Sequence, residues 1–193
     1  MKALERIFPK GTRRRRLLWI GFYLTVALMN FLVNFTPFFC VKWCVLRLFG
    51  IKIHWKAGIH RGIAIFSLGR LCIGKHSIVN HGCVLDNRGS IVIGENVSIA
   101  HNSKIYTAGH DVQDPTFPVI TASVNIGDYA CIYANSMIMP GVKIGKGAVV
   151  YPGSIVTKSV GEFEMVAGVP ARVVGMRRRE LDYTIDAKLW FSN

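Results

Sequence analysis

Acidic residues are scarce in this chain, and charges of any kind are few. The 193 residues include 11 Asp and Glu against 24 Lys and Arg, a net charge of +13, while charged residues make up 18% of the chain and hydrophobic residues 51%. The excess of positive charge predicts an anionic partner such as nucleic acid, anionic lipid or a phosphorylated cofactor. The chain lacks a basic stripe with interspersed aromatics and a groove-binding helix, so we expect no nucleic-acid partner.

Paired cysteines are also missing. The five cysteines form no CxxC pair, and neither they nor the six histidines have the spacing of a metal site. We therefore expect free thiols in a reducing compartment and no bound metal.

Aliphatic residues recur every six positions in the second half of the chain. The unbroken series is Ile126, Ile132, Ile138, Ile144, Val150 and Val156. A helix repeats every 3.6 residues and a half-buried strand every two, so this period indicates one inward aliphatic for each short strand and turn. Small or β-branched residues stand fourth after each aliphatic, as the inner corners of a narrow coil require. Three walls of six residues would make turns of about 18 residues, stacked about 4.8 Å apart.

The same period occurs earlier, at Ile73, Val79 and Leu85 and again at Ile93, Ile99 and Ile105. The step from Leu85 to Ile93 is eight and the step from Ile105 to Ile126 is 21. These steps predict a small bulge at one corner and an extruded loop at residues 106–125. The pattern therefore predicts an all-β solenoid over residues 51–175, with an incomplete first turn at residues 51–71. Strands of a β-sandwich are the alternative that alternation alone would allow.

Residues 1–50 have a different composition. Four arginines, residues 13–16, precede residues 17–36, a run of twenty residues without a charge. That run is about 30 Å of helix, enough to cross a hydrocarbon core. A shorter apolar segment after Pro37 contains Lys42 and Arg47, whose long stems would let their charges reach headgroups. Positive charge on both sides favours a kinked or re-entrant membrane hairpin. A helical pair that caps the open end of the coil is the alternative.

Two further features complete the organisation of the chain. Asn30 and Asn34 lie on one face of the first predicted helix, where they would bond to a neighbouring helix or be solvated. After the coil, residues 176–193 begin with a run of arginines and predict a basic C-terminal helix. The chain thus divides into a helical hairpin at residues 1–50, the solenoid at residues 51–175 and this helix.

Two motifs carry a resemblance to a known family. The first is the repeat from Ile126-Gly127-Asp128 to Val156-Thr157-Lys158, followed by AGVPAR at residues 167–172, and the second is TAGHDVQDPTF at residues 107–117. Over about residues 70–176 the chain resembles the hexapeptide-repeat acyltransferases, and among them the sugar O-acetyltransferases of the colanic-acid and exopolysaccharide type. The resemblance implies a left-handed parallel β-helix and transfer of acetyl from acetyl-CoA to a sugar hydroxyl. The apolar N-terminal unit departs from the soluble sugar acetyltransferases.

The resemblance also implies roles for single residues. A sugar hydroxyl needs a base to take its proton, and His110 matches the family's catalytic histidine. Asp111 or a nearby backbone carbonyl would orient its ring. Asn80 matches the family's acceptor-contacting asparagine, whose amide would position the hydroxyl or stabilise the oxyanion, although filling a corner of the coil is the alternative. Asp86, Asn87 and Asp111 are further candidate acceptor contacts.

For the donor, the resemblance places the pantetheine arm of acetyl-CoA in a groove between neighbouring chains. The candidate contacts to that arm are Ala134, Gly153 and Thr157. Lys158 and Arg172 are the candidates for its phosphates, with solvated surface charge as the alternative reading.

The predicted function is an O-acetyltransferase that acts on a sugar of a polysaccharide or lipid-linked glycan precursor. A homotrimer is expected, because the family's sites lie between subunits. Residues 13–49 are expected to contact the membrane. Since acetyl-CoA is cytosolic, we expect the coil at the cytoplasmic face of the inner (plasma) membrane. An antibiotic-modifying acetyltransferase and a membrane-tethered scaffold without chemistry are the alternatives.

Overall fold

A computed structural model describes residues 13–186. Its body is a β-helix with three parallel faces and two α-helices at one end. The helices are α1 (Arg13–Phe35) and α2 (Phe39–Leu48). The predicted all-β solenoid of hexapeptide repeats is confirmed.

Each face of the β-helix is a sheet of short strands. The first face consists of β1 (Lys52–Ile53), β4 (Leu71–Ile73), β7 (Ile91–Ile93), β12 (Val124–Ile126) and β15 (Lys143–Ile144). The second face consists of β2 (Gly58–Ile59), β5 (Ile78–Val79), β8 (Ser98–Ile99), β13 (Cys131–Ile132), β16 (Val149–Val150), β18 (Glu164–Gly168) and β19 (Ala171–Met176). The third face consists of β3 (Ala64–Ile65), β6 (Val84–Asp86), β9 (Lys104–Tyr106), β14 (Met137–Ile138) and β17 (Ile155–Val156).

The six-residue period places the aliphatic side chains on top of one another. On the first face, Ile73, Ile93, Ile126 and Ile144 are register partners along the sheet, and each is buried. The small positions of the repeat are buried as well, including Cys83 before β6, where burial raises the pKa of the thiol to about 11. The core is therefore a continuous column of aliphatic residues, which each turn extends by one layer.

Glycine is required at the corner that follows the first face. A Cβ on Gly127 would lie 2.7 Å from the backbone nitrogen of Lys146 in the next turn. The same crowding affects Gly74, Gly94 and Gly145, which occupy the equivalent corner in other turns. The Ile-Gly pairs of the sequence thus mark the places where successive turns approach too closely for a side chain.

The first turn of the coil is complete, so the prediction of an incomplete turn at residues 51–71 is wrong. Strands β1, β2 and β3 pair in parallel with β4, β5 and β6. Ile53, Ile59 and Ile65 keep the six-residue period and are buried. The step of eight from Ile65 to Ile73 obscured this turn in the sequence, because it repeats the irregularity between Leu85 and Ile93.

All the irregular steps fall at one corner, where the chain passes from the third face to the first. Residues 66–70, 87–90 and 107–123 bulge outward there in three successive turns. The predicted extruded loop begins at this corner and is largely ordered. It contains an antiparallel hairpin of β10 (Ala108–His110) and β11 (Val119–Thr121).

The two helices close the open end of the β-helix. Met29 and Val33 of α1 and Leu46 of α2 are buried in the same core as the first turn. The Trp43 indole N–H also donates to the Ile53 carbonyl at 3.1 Å. The capping alternative considered for this segment therefore describes how the helices pack.

Asn30 and Asn34 bond to the edge of the first turn rather than to a neighbouring helix, and Asn30 also donates to the Val26 carbonyl of its own helix at 2.9 Å. The Asn30 amide donates to the Ile65 carbonyl at 2.7 Å and accepts from the Ile65 N–H at 2.9 Å. Asn34 makes the same pair of bonds to Ile63, at 2.9 and 3.0 Å. Four helical residues rise about 6 Å and two strand residues about 6.6 Å, so the two spacings match. The amides replace a missing strand neighbour.

Lys42 does not extend toward a surface as predicted. Its side chain is fully buried, and its ammonium has no hydrogen-bond partner among residues 13–186. Burial, with repulsion from Arg61, lowers the pKa of Lys42 to about 8. The prediction that Lys42 extends its charge to lipid headgroups is therefore wrong, because α2 holds this side chain in the interior.

The predicted C-terminal helix is also wrong over residues 177–186. Residues 177–186 have no helix, and residues 187–193 lie outside the described part of the chain. Arg177 holds this segment against the coil by donating to the carbonyl of Tyr129 at 2.9 Å and to the Tyr183 hydroxyl at 3.1 Å. The Ile185 N–H donates to Asn96 at 3.2 Å. These tertiary bonds keep the segment extended.

Candidate active site

The hairpin that carries His110 is fixed at its base by Thr107. The Thr107 side chain is fully buried, and its hydroxyl donates to the Asp86 carbonyl and accepts from the Gly89 N–H. These partners belong to the corner of the preceding turn. The hairpin therefore leaves the coil from a rigid position.

The ring of His110 is oriented by Phe117 on the other arm of the hairpin. Its Nδ1 lies 2.9 Å from the Phe117 carbonyl oxygen, and the two rings stack with centroids 4.2 Å apart and planes at 9°. A carbonyl oxygen only accepts, so Nδ1 must carry the proton. The lone pair is then on Nε2, as a general base requires.

The turn between the two arms is built around Asp114. Its carboxylate accepts from the Thr116 hydroxyl and, secondarily, from the Thr116 N–H, and these bonds lower the pKa of Asp114. Phe117 follows with a φ of 47°, in the left-handed region that non-glycine residues seldom adopt. This conformation brings both the carbonyl and the ring of Phe117 to His110.

Asp111 does not orient the imidazole. Its carboxylate accepts from the Gln113 N–H at 3.0 Å, and its own N–H donates to the Pro118 carbonyl. Of the two orienting groups expected from the sequence, the backbone carbonyl is the one that acts. Asp111 shapes the loop.

Asn87 is unavailable to an acceptor, which corrects its predicted role. It is fully buried, and its amide bonds to the N–H groups of Phe66 and Ser67 and to the carbonyls of Ser67 and Gly69. All four bonds hold the bulge of the first turn. Filling a corner of the coil, the alternative considered for Asn80, is what Asn87 does.

Asp86 is 1% exposed and is paired with its neighbour Arg88. Both carboxylate oxygens accept from the guanidinium at 2.8 Å, and this bond raises the pKa of Arg88. Arg88 remains 36% exposed and lies over the Phe66 ring. Any ligand at this corner would therefore meet the guanidinium of Arg88 before the carboxylate of Asp86.

Asn80 lies half-buried at a corner of the second turn. Its Nδ2 donates to the Ile99 carbonyl at 3.0 Å, and its own N–H donates to the same oxygen. The second amide proton and Oδ1 have no protein partner within residues 13–186. The side chain is thus fixed by one bond and keeps polar groups for another.

The predicted donor contacts fall into two groups. Lys158 and Arg172 line one cleft of about 220 Å³ at the far end of the coil. Ala134 and Gly153 are joined by a backbone bond of 2.9 Å, and Thr157 is exposed beyond them. A side chain on Gly153 would meet no atom within 4 Å, so this strip of surface is open. The structure brings the two cations together.

Sequence reasoning overlooked Phe117, Thr107 and a pair of exposed tyrosines. Tyr133 and Tyr151 stack with centroids 6.2 Å apart beside Ala134 and Gly153. Phe117 closes the TAGHDVQDPTF motif, so its position was visible but its left-handed backbone was not. The two tyrosines stand eighteen residues apart, one full turn of the coil, which was the available signal.

The fold and the motif agree with comparisons to known proteins. The profile "Bacterial transferase hexapeptide (six repeats)" matches residues 123–158. WcaF of Escherichia coli, assigned as a colanic acid biosynthesis acetyltransferase, is 29% identical over 171 residues, which are 88% of this chain and 93% of that protein. The chain is thus similar to hexapeptide-repeat acetyltransferases in its repeat, its sequence and its fold. The predicted resemblance is therefore confirmed.

Two other proteins define the extent of the similarity. The crystal structure of a maltose O-acetyltransferase from Clostridium difficile superimposes with a TM-score of 0.77 at 26% identity, covering 84% of this chain and 89% of that one. YJL218W of Saccharomyces cerevisiae, assigned as an acetyltransferase, is 41% identical over 105 residues. That match covers 53% of this chain and 54% of the yeast protein, so the chain spans about half the length of this relative.

Proposed function

We propose that the protein transfers an acetyl group from acetyl-CoA to a hydroxyl of a sugar in a polysaccharide or lipid-linked glycan precursor. The observation that carries the proposal is the orientation of His110. Its Nδ1 is bonded to the Phe117 carbonyl, so Nε2 is left as the base on an exposed residue at the end of β10. A scaffold without chemistry would not need a histidine held in this way.

The residues of the chain supply proton transfer and positioning. Acetyl-CoA supplies the acetyl group as a thioester. His110 Nε2 accepts the proton of the sugar hydroxyl while the hydroxyl oxygen bonds to the acyl carbon, and the carbon–sulfur bond breaks. The imidazolium then returns the proton to the departing thiolate, so histidine and charge are restored. The second amide proton of Asn80 would stabilise the oxyanion formed in between.

The far end of the coil suits the donor. Lys158 and Arg172 line one cleft and would pair with phosphates, which guanidinium and ammonium groups bind well. The open strip by Ala134, Gly153 and Thr157 would accommodate a narrow pantetheine chain, flanked by the stacked tyrosines Tyr133 and Tyr151. These surfaces are exposed on the single chain.

We also propose that the active unit is a homotrimer. His110 is exposed on a hairpin, and its ring contacts Phe117 of the same chain. Val119 and Ile120 on the second arm of the hairpin are about half exposed. A neighbouring β-helix would cover this apolar arm and enclose the histidine, which would exclude water from the acyl donor.

The acceptor assignment follows relatives whose substrates are sugars. WcaF is assigned to colanic acid synthesis, and the C. difficile protein is named for maltose. Because the donor is cytosolic, we place the reaction on the cytoplasmic face of the plasma membrane. Arg88, held by Asp86 at the same corner in the preceding turn, would contact the sugar or an attached phosphate.

The proposal is tested by acetyl transfer to glycan fractions. Purified protein is incubated with labelled acetyl-CoA and with the polysaccharide and lipid-linked glycans from cells that lack it. Mass spectrometry then identifies the ester. We expect His110→Ala to lower turnover by roughly 10²- to 10⁴-fold with unchanged acetyl-CoA affinity, because it removes the base.

The matched control is Asp111→Asn, which alters the adjacent residue without touching the ring of His110. Full activity of the His110→Ala protein would remove this residue from the mechanism. A labelled ester on no glycan, with continued thioester cleavage, would overturn the acceptor class.

A further inference from the structure

The charges of this chain are separated along the β-helix. Residues 1–85 contain fourteen Lys and Arg and one Glu, which accounts for the whole net charge of +13. Residues 86–193 are balanced, with ten of each sign. Residues 13–85, which form the helical cap and most of the first two turns, include eleven cations and no acidic residue. The first carboxylate after them, Asp86 at the end of β6, is buried and paired with Arg88. One end of the coil is therefore cationic and the remainder is neutral.

The cationic end also carries many exposed apolar side chains. Helix α1 buries Val26, Met29 and Val33 against the first turn but exposes a second apolar stripe on its other side. That stripe, between 51% and 75% exposed, consists of Leu17, Ile20, Leu24, Leu28, Phe31 and Phe35. Spacings of three and four place these side chains on one face of the helix. No described part of the chain covers them.

The packing of α1 determines how this stripe is presented. Asn30 and Asn34 tie the helix to β3, and Trp43 ties α2 to β1. If α1 crossed a bilayer, the first turn with exposed Lys52, Lys56 and Arg61 would be drawn into hydrocarbon. The helix is long and apolar enough to span, but these bonds hold it across the end of the coil. It must therefore lie in the plane of any surface it meets.

A lipid surface fits this arrangement better than a second copy of the chain. Arg13, Arg14 and Arg16 are exposed at the start of α1, and Trp19 and Tyr23 stack beside them with centroids 5.8 Å apart. Arginine followed by Trp and Tyr is the composition found where a protein meets headgroups. A second cap would bring cations against cations, because residues 13–85 contain no counter-charge. Anionic lipid headgroups supply the missing counter-charge.

We propose that the outer face of α1 docks in the plane of an anionic lipid bilayer. The leucine and phenylalanine stripe would enter the acyl boundary, and the arginines would pair with headgroup phosphates. This arrangement replaces the re-entrant hairpin predicted from the sequence, because the helices are part of the solenoid core.

Flotation with vesicles tests the docking without any assay of activity. Full-length protein is mixed with vesicles of phosphatidylcholine alone or of phosphatidylcholine with phosphatidylglycerol at roughly 3:1, an anionic fraction that attracts basic segments. We expect flotation with the anionic vesicles and weaker flotation at high salt. L24Q/L28Q/F31Q and R13Q/R14Q/R16Q should each lower the partition coefficient by roughly 10- to 100-fold.

A matched control removes the same charge from the opposite end. K143Q/K146Q/R178Q should change partitioning by less than about twofold, because Lys143 and Lys146 lie four turns from β1, about 20 Å and beyond the Debye length. Thermal unfolding verifies that each variant is folded. Equal partitioning of wild type and both cap variants would overturn the proposal.

Two further outcomes would indicate a different environment for the apolar stripe of α1. If L24Q/L28Q/F31Q lowers the oligomeric state in light scattering without lipid, and flotation is absent, the stripe is a contact between copies. Depth is read from the Trp19 signal, taken as wild type minus W19F, in bilayers with shallow or deep brominated lipids. Stronger quenching by the deep bromines would indicate insertion and contradict in-plane docking. None of these measurements depends on acetyl transfer, so a negative result for membrane docking would leave the proposed enzymatic function untouched.

Discussion

His110 is positioned by the main chain of its own hairpin. The carbonyl of Phe117 receives its Nδ1 proton, and the Phe117 ring packs flat on the imidazole. Because this carbonyl is only an acceptor, Nδ1 would keep its proton while Nε2 takes and returns the proton of the acceptor hydroxyl. The adjacent Asp111 accepts a loop N–H instead.

This arrangement predicts that Asp111→Asn keeps activity. An asparagine Oδ1 still accepts the Gln113 N–H, so kcat and KM should stay within about threefold of wild type. The measurement is steady-state acetyl transfer to the glycan fraction. A loss of a hundredfold in kcat would show that the carboxylate acts on the imidazole in the complex.

The residue scale shows which site features a sequence can reveal. His110 was identifiable because its motif is contiguous. Its partner Phe117 was not assigned, because the contact depends on a turn with a left-handed residue, which few side chains indicate. Asn87 was misassigned for the opposite reason: its polar side chain resembles a ligand contact, whereas the bulge it holds is visible in three dimensions alone.

At the scale of elements, α1 takes the place of a neighbouring strand at the open edge of the third face, beside β3. The N–H and C=O groups of Ile63 and Ile65 point away from the coil and would be unpaired without Asn30 and Asn34. An open β edge invites pairing with other chains. A helix with two asparagines one turn apart closes this edge without adding a strand.

Replacement of either asparagine should destabilise the protein. We expect Asn30→Ala and Asn34→Ala each to lower the free energy of unfolding by about 2–4 kcal/mol, because a donor and an acceptor at the coil edge lose their partners. Urea unfolding followed by circular dichroism gives the measurement. Thr25→Ala is the control on the same helix, since Thr25 is partly exposed and bonds within α1 to Gly21. Equal stability of all three variants would contradict the capping role.

The six-residue period predicted the strands of the β-helix far better than the structure at its two ends. Six-residue spacing fixes which side chains face inward, so the core from Ile73 to Val156 followed from the sequence. The first turn was missed because an insertion after Ile65 breaks the count. The C-terminal helix failed because Arg177 and Tyr183 form tertiary bonds that outweigh local helical preference.

At the scale of the whole molecule, the helical cap and the hairpin with His110 follow one another along the axis of the β-helix. The hairpin with His110 follows the third turn, two turns or about 10 Å from the first turn. It projects from the same corner as the bulges at residues 66–70 and 87–90. Arg70 and Arg88 join these two bulges through a bond of 2.6 Å. A hydroxyl attached to a membrane-bound carrier would reach His110 along this corner.

Threefold assembly would reinforce this geometry. Three β-helices with parallel axes present their caps at the same end, so one trimer would place three copies of α1 on one membrane plane. Linked weak contacts of this kind raise overall affinity well above that of one helix. The same assembly would cover the apolar arm of each hairpin.

Ile120→Glu should therefore dissociate the assembly. Ile120 is 54% exposed in the single chain and lies opposite Gly109 in the hairpin, next to the His110 pair. A carboxylate buried at a subunit contact is costly, so we expect native mass spectrometry in mild detergent to show trimers for wild type and monomers for the variant, with acetyl transfer lost. Val41→Glu places the same charge at an exposed position on α2 and should remain trimeric and active. A monomeric wild type would rule out the trimer, and a trimeric, active Ile120→Glu protein would place the subunit contact away from the hairpin.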